Sequence, residues 1–425
     1  MKHQILTLDD FDVAGRTVLC RIDINQPVDK AAGRLKDTTR IRACLPTVRE
    51  LADRGARLVL LAHQGSDVEY HNYFTTRLHA GYLAEFLGRD VDFIDDVVGP
   101  AARDAIGRLE PGQILLLDNV RFVAEEQTLF ETTLNLSPEQ MAHTLCVEKL
   151  APLADLYVCD AFAAAHRAQP TLCGFEMVLP SAMGRLFELE YSVVSGIMEA
   201  PDRPCVFLLG GAKVSDAFAM LETVLSRGIA DTVLCGGVVG NIMLAAQGHD
   251  LGAASMEFLR AKGLTQFIAD GRRALDSYAD RIVLPIDLAC VTAGGRKEVP
   301  LDAVADDESY VDIGALTIAR FADHISSAAT VFINGPMGIF ESEPSAAGTR
   351  EIWRAVADSA AFSVLGGGDS ITAAAAFGVT DDLGYVCTGG GALLRFLSGD
   401  ELPAVAALRH AAATFGVPEQ LAVRR

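Results

Sequence analysis

Short apolar runs recur along the chain, each followed by a small or polar turn and then by apolar residues at helical spacing. In the first half they are Val18 to Ile24, Leu58 to Ala62, Val91 to Ile94, Ile114 to Leu117 and Leu156 to Cys159. Their alternation with helix-like segments predicts βα units and a mostly parallel sheet. Glu125 to Leu150 reads as an extended connection, polar at first and helical from Ser137, with no chemistry assigned to it. Leu186 to Met198, bounded by Pro180 and Pro201, has helical periodicity and only one glycine, so it predicts a helix joining two lobes and acting as a hinge. Beyond it the pattern resumes with Cys205 to Leu209, Thr232 to Cys235, Thr330 to Ile333, Phe362 to Leu365 and Tyr385 to Cys387. The expected class is α/β, with one parallel-sheet lobe over residues 1–180, a joining helix within 181–200 and a second lobe over 201–404.

Length supports two lobes, since 425 residues exceed one ordinary core. A formal charge of -20 argues against nucleic acid or a membrane surface as partner, because both need a basic footprint. An anion site on such a protein must be a local cluster of cations. Nine cysteines with no C-x-x-C pair, several inside apolar runs, fit a reducing compartment. No apolar stretch reaches membrane-spanning length, and a cytoplasmic location is expected.

In parallel α/β sheets ligands collect at the carboxyl ends of the strands. In the first half those positions carry Asp23 and Asn25, then His63, then Asn119 and Arg121, and finally Asp160 followed by His166 and Arg167, with Arg40 and Arg42 after the first run. A lone arginine is more often a surface ion pair, and a lone histidine a satisfied half-buried residue. Shared placement of Arg40, His63, Arg121 and Arg167 predicts a pocket for a small hydroxylated organic phosphate or dicarboxylate, with Asp23 and Asn25 bonding to a hydroxyl.

The strand ends of the second half are rich in glycine instead: Gly210-Gly211-Ala212-Lys213, Gly236-Gly237, Asn334-Gly335-Pro336, Gly366-Gly367-Gly368-Asp369 and Thr388-Gly389-Gly390-Gly391. Five such turns on one rim predict a phosphate cradle of nucleotide size. Lys213 adds a full charge there, and no other lysine occurs between Lys149 and Lys262. Asp369 is a candidate magnesium ligand; the plainer alternative is a helix N-cap from Asp369 or Ser370. Neither G-x-x-x-x-G-K-[ST] nor G-x-G-x-x-G within a βα unit is present, so a Walker hydrolase and a standard dinucleotide enzyme are not supported.

With these residues in view, the chain resembles the phosphoglycerate kinase family, in its archaeal-like branch, from near its start to past residue 400. The matching motifs are RIDINQP from Arg21, DTTRIRA from Asp37, LLLDNVRF from Leu115, DAFAAAHRA from Asp160, LGGAKVSD, NGPMGIFE from Asn334, GGGDS and TGGGA. The resemblance implies two Rossmann-like lobes that close on their substrates, with a C-terminal segment of about 405–425 packing back on the first. It implies reversible transfer of a phosphoryl group between MgATP or MgADP and the carboxylate of 3-phosphoglycerate. The matching substrate positions are Asp23, Asn25, Arg40, His63, Ser66, Arg121 and Arg167. Those for ATP or ADP are Gly210, Gly211, Lys213, Gly236, Gly237, Asn334, Pro336, Glu341, Gly366, Gly367, Gly368, Asp369 and Ser370, with Asp369 on Mg2+. The implied catalytic set is Arg40, Lys213, Gly367 and Gly390. No macromolecular partner is implied beyond a monomer or homodimer.

Three departures stand out. Ser66 replaces an arginine that helps grip the substrate phosphate, with Asp67 and Glu69 close by; Arg77 or Arg42 could fill in. Ala217 stands where many relatives carry a second lysine, and Gln169 where many carry a histidine. They leave two further readings beside the family's own activity: a kinase for a related hydroxy acid, or a non-catalytic phosphometabolite sensor.

Overall fold

The computed structural model describes residues 4–29, 31–65 and 73–423. The chain divides into two compact units, Met1–Ser192 with Glu401–Arg425, and Val193–Asp400.

The first unit is built on a six-stranded parallel sheet in the spatial order Asp92–Ile94, Ile114–Leu117, Arg57–Leu61, Thr17–Arg21, Leu156–Cys159, Ser181–Met183. The strands Thr17–Arg21, Ile114–Leu117 and Leu156–Cys159 are buried at every position, as expected for strands covered on both faces by helices. The sixth strand was not foreseen. It occupies the start of the span assigned to the joining helix, which therefore begins later, at Arg185, and runs to Glu199. Ser181 pairs with Tyr157 in the ladder, so the backbone after Pro180 runs extended before it turns into the helix. The C-terminal helix Pro403–Phe415 packs on Pro170–Cys173 and on the strand Ser181–Met183.

A second six-stranded parallel sheet forms the other unit, in the order Ile282–Val283, Thr232–Cys235, Cys205–Leu209, Thr330–Asn334, Phe362–Gly366, Tyr385–Val386. Because all six run parallel, every glycine-bearing turn falls at the same edge. This unit also holds an antiparallel sheet that periodicity missed, Gly295–Pro300, Asp287–Thr292 and Tyr310–Ile313. Ala293-Gly294 forms its tight turn, where Thr292 pairs with Gly295.

All nine cysteines are buried and free, and burial pushes the Cys159, Cys205 and Cys235 thiols up to about 12, which suits packing and not reactivity. Among the described residues no helix is long and apolar enough to cross a membrane.

Candidate active site

At the carboxyl edge of the first sheet, His63 is the point on which the cations converge. It is buried, and its pKa is held well below the usual imidazole range by burial first and then by Arg21, Arg121, Arg167 and Arg40. Arg21 Nη2 lies 3.0 Å from His63 Nδ1. A guanidinium can only donate, so Nδ1 accepts and the neutral ring carries its proton on Nε2. His63 is thus an uncharged donor set among positive charges.

The surrounding side chains are fixed by short-range bonds. Asp23 Oδ1 accepts from the Asn25 amide at 3.0 Å, and its Oδ2 accepts from Arg40 Nη1. Asn25 Oδ1 accepts from Gly65 N at 3.0 Å. Asn119 Oδ1 accepts from Arg121 N at 3.0 Å and from Gln64 N at 3.2 Å, which ties the second and fourth strand ends together. Arg167 pairs with Glu131 at 3.6 Å, and Glu131 also accepts from Ala168 N at 3.1 Å and Gln169 Nε2 at 3.3 Å. Among the described residues, these four guanidiniums are set against the carboxyl groups of Asp23, Asp37, Glu126 and Glu131.

The six other substrate positions named from the sequence come together here, while Ser66 lies outside the described residues, as do Asp67 and Glu69. Arg42 stacks 3.8 Å over Phe86 and Arg77 4.4 Å over Phe93, with Arg77 also pairing with Asp95, so each guanidinium is engaged on an aromatic ring. Arg21 was missed because it lies inside the apolar run Val18 to Ile24, whereas the strand ends at Arg21. Glu126 and Glu131 were missed because the segment carrying them shows no local motif.

In the second unit the turns interlock backbone on backbone. Gly210 N donates to Asn334 O at 2.9 Å, Gly211 N to Pro336 O at 2.8 Å and Gly237 N to Met337 O at 3.0 Å. A Cβ at Gly335, where φ is +89°, would lie 2.2 Å from Gly210 O, so no other residue fits. Several turn glycines are therefore demanded by packing against each other as well as by any ligand. A Cβ at Gly366 would meet the Leu393 side chain at 2.3 Å.

Beside these turns lies a cavity of about 400 Å³, lined by Gly211, Gly237, Pro336, Glu341 and Asp369 from the predicted set. The rest of its lining combines apolar Val238, Phe258, Val311, Ile313 and Ile339 with polar Asn241, Ser255, Ser309 and Asp312, none of it read in the sequence. The antiparallel sheet supplies Tyr310–Ile313 of that wall. Asn241 Nδ2 donates to Tyr310 O at 3.1 Å and Tyr310 N donates to Ser255 Oγ at 3.2 Å, which pins the strand in place.

Gly210, Gly236, Asn334, Gly366 and Ser370 are buried behind the cavity lining. Ser370 Oγ accepts from Gly335 N at 2.7 Å, so its hydroxyl holds the turn. Lys213 and Gly368 are exposed at their helix starts, Gly367 (φ +85°) sits against Asn334 Oδ1, and Gly390 (φ +49°) opens the helix Gly390–Leu397. The N-cap alternative for Asp369 fails: Gly367 takes the cap position of the helix Gly368–Phe377, and no side chain caps it.

The phosphoglycerate kinase family model matches residues 8–400. The chain belongs to the phosphoglycerate kinase family. It is 43% identical over 404 residues to a phosphoglycerate kinase from Methanothermobacter thermautotrophicus, covering 95% of this chain and 96% of that one. It is 42% identical over 406 residues to one from Thermococcus kodakarensis, with 95% and 96% covered. A crystal structure of phosphoglycerate kinase from Pyrococcus horikoshii superposes with a TM-score of 0.86 at 39% identity, covering 97% of this chain and 100% of that one. These matches do not support the related-acid kinase or the sensor. The phosphoglycerate kinase reaction uses a nucleotide with Mg2+, and the second unit suits that pair. Among the described residues no group of three or more His, Cys, Asp or Glu could hold a metal unaided. Of the carboxylates on the cavity wall, Asp312 is buried and paired with Arg296, while Glu341 and Asp369 are exposed; Asp369, beside the Gly366-Gly367-Gly368 turn, is the donor expected when phosphates complete the shell of a hard cation.

Proposed function

We propose that the first unit binds 3-phosphoglycerate and the second MgATP or MgADP, and that the chain passes the terminal phosphoryl group between nucleotide and carboxylate. The observation that carries this reading is the set of four guanidiniums around a neutral His63 in a protein of charge -20. A phosphate and a carboxylate on one small molecule match forked donors, while Asp23 and Asn25 offer an acceptor and a donor to its hydroxyl.

On the nucleotide side, the apolar wall of Val238, Phe258 and Ile339 suits a base, and Glu341 suits a ribose hydroxyl. Gly211 and Gly237 let the backbone approach the phosphates. Asp369 would hold Mg2+, which supplies neutralising charge on the phosphate oxygens. Lys213, exposed and without an ion-pair partner among the described residues, is free to neutralise the group in transfer. In-line transfer needs positioning, charge neutralisation and exclusion of water, and no covalent nucleophile.

The test is turnover of purified protein with MgATP and 3-phosphoglycerate, coupled to reduction of the acyl phosphate. Saturable oxidation of the reduced coenzyme that requires both substrates is expected. Silence with this acid but turnover with another hydroxy acid would overturn the substrate assignment.

A further inference from the structure

The segment Glu125 to Leu150, which sequence reading left without a role, reaches into the substrate pocket through a buried chain of bonds. Glu126 is fully buried. Its Oε1 accepts from Thr171 N at 2.6 Å and its Oε2 from the Thr171 hydroxyl at 2.7 Å. Arg21 Nε donates to Thr171 Oγ1 at 3.0 Å, and Arg21 Nη2 donates to His63 Nδ1 at 3.0 Å. Arg21 Nη1 donates to Ile22 O at 2.7 Å, so every nitrogen of this buried guanidinium is directed.

The polarity of the chain is determined at each link. Arginine only donates, so Thr171 Oγ1 must accept from it and spend its single proton on Glu126. That leaves a lone pair aimed at Nε, which sets the plane of the guanidinium and with it the line from Nη2 to His63 Nδ1. His63 is then held with Nε2 as its donor. A carboxylate is required at the far end, since only an acceptor on both oxygens can take the hydroxyl and the amide of Thr171 together.

We propose that Glu126, acting through Thr171 and Arg21, is a positioning residue that aims His63 at the phosphoglycerate. This rests on the assignment of that ligand to the first unit. Glu126, Thr171 and Arg21 are all buried, and they act on the ligand only through the orientation of His63.

The test pairs Thr171→Val, which keeps the shape and deletes the hydroxyl, with Thr171→Ser, which restores it. Thr171→Val should raise KM for 3-phosphoglycerate by roughly tenfold, the cost of one hydrogen bond to a charged group, with KM for MgATP unchanged. Thr171→Ser should return KM to the wild-type value. Glu126→Gln serves as a second variant, since its amide meets the Thr171 donors with a donor; it should reproduce the same one-sided effect. Equal losses for both substrates, or an unchanged KM for 3-phosphoglycerate in a folded Thr171→Val protein, would overturn the proposal. If Thr171→Val does not fold, Glu126→Gln decides by the same criterion. Arg167→Ala separates the two claims: if it weakens 3-phosphoglycerate while Thr171→Val and Glu126→Gln do not, the relay fails and the pocket assignment stands. If Arg167→Ala leaves 3-phosphoglycerate unaffected, the pocket assignment falls, and the relay falls with it.

Discussion

Replacing Asp160 by asparagine should remove a defined part of the pH dependence of folding stability. Asp160 is fully buried at the end of the strand Leu156–Cys159. Its Oδ1 accepts from Leu186 N at 2.9 Å and Phe187 N at 3.3 Å, at the start of the helix Arg185–Glu199, and its Oδ2 is buried. Burial pushes the carboxyl up to about 7, against the pull of the Thr47 hydroxyl and the two amides, with Glu190 adding to the rise. In the unfolded chain the group titrates near about 4. The folded value is the higher one, so below about pH 4 both states hold the proton and the group contributes nothing to the difference. Between about pH 4 and pH 7 the folded state keeps a proton that the unfolded state has released. Stability then falls with rising pH by about 1.4 kcal/mol per unit, to a total on the order of 4 kcal/mol, and levels off above about pH 7. Asparagine keeps the accepting oxygen but cannot titrate.

The assay is urea unfolding of both proteins from pH 4 to 8, followed by far-ultraviolet circular dichroism. Trp353, the only tryptophan, is buried in the second unit, so its fluorescence monitors that unit separately. Subtracting the variant from the wild type cancels the many exposed acids. The difference should slope downward between about pH 4 and 7 and run flat above. Parallel curves across the whole range would show that Asp160 is charged in the folded protein and that its burial has been misread.

Lys213→Ala should lower turnover by roughly a hundredfold, because it removes a preorganised charge from the transferring group, and a near-normal rate in the coupled assay would show the lysine to be solvent decoration. Gly335→Ala forces a Cβ to within 2.2 Å of Gly210 O at a φ of +89°, while Gly368→Ala meets no atom within 4 Å. The first should cost about 1–3 kcal/mol or more and lower Tm by several degrees; the second should leave Tm unchanged, and equal melting by calorimetry would refute the interlocked turns.

Much of this architecture was readable because buried parallel strands advertise themselves. Ile114 to Leu117 and Cys205 to Leu209 are unbroken apolar runs, and the structure places strands on the same residues. Ser181–Met183 is three residues long and follows a proline, and Ile282–Val283 has two, so neither carries a period to detect. The antiparallel sheet escaped because Gly295–Pro300 buries only Val299 and includes Arg296, Lys297 and Glu298. In the first pocket, Arg40, His63, Arg121 and Arg167 were found because parallel topology brings strand ends to one edge. The bond from Glu126 to Thr171 spans 45 residues of sequence and leaves no local trace. The five glycine turns were legible as a rim, but not that Gly210 and Gly335 constrain each other, which depends on two neighbouring strands in register.

The division of labour between the two units is tested most directly by titration calorimetry with 3-phosphoglycerate and MgADP on wild type, Arg167→Ala and Asp369→Asn. Arg167→Ala should weaken 3-phosphoglycerate by roughly tenfold or more and leave MgADP unchanged; Asp369→Asn should do the reverse. A variant that loses the other unit's ligand, or both ligands alike, would contradict the account.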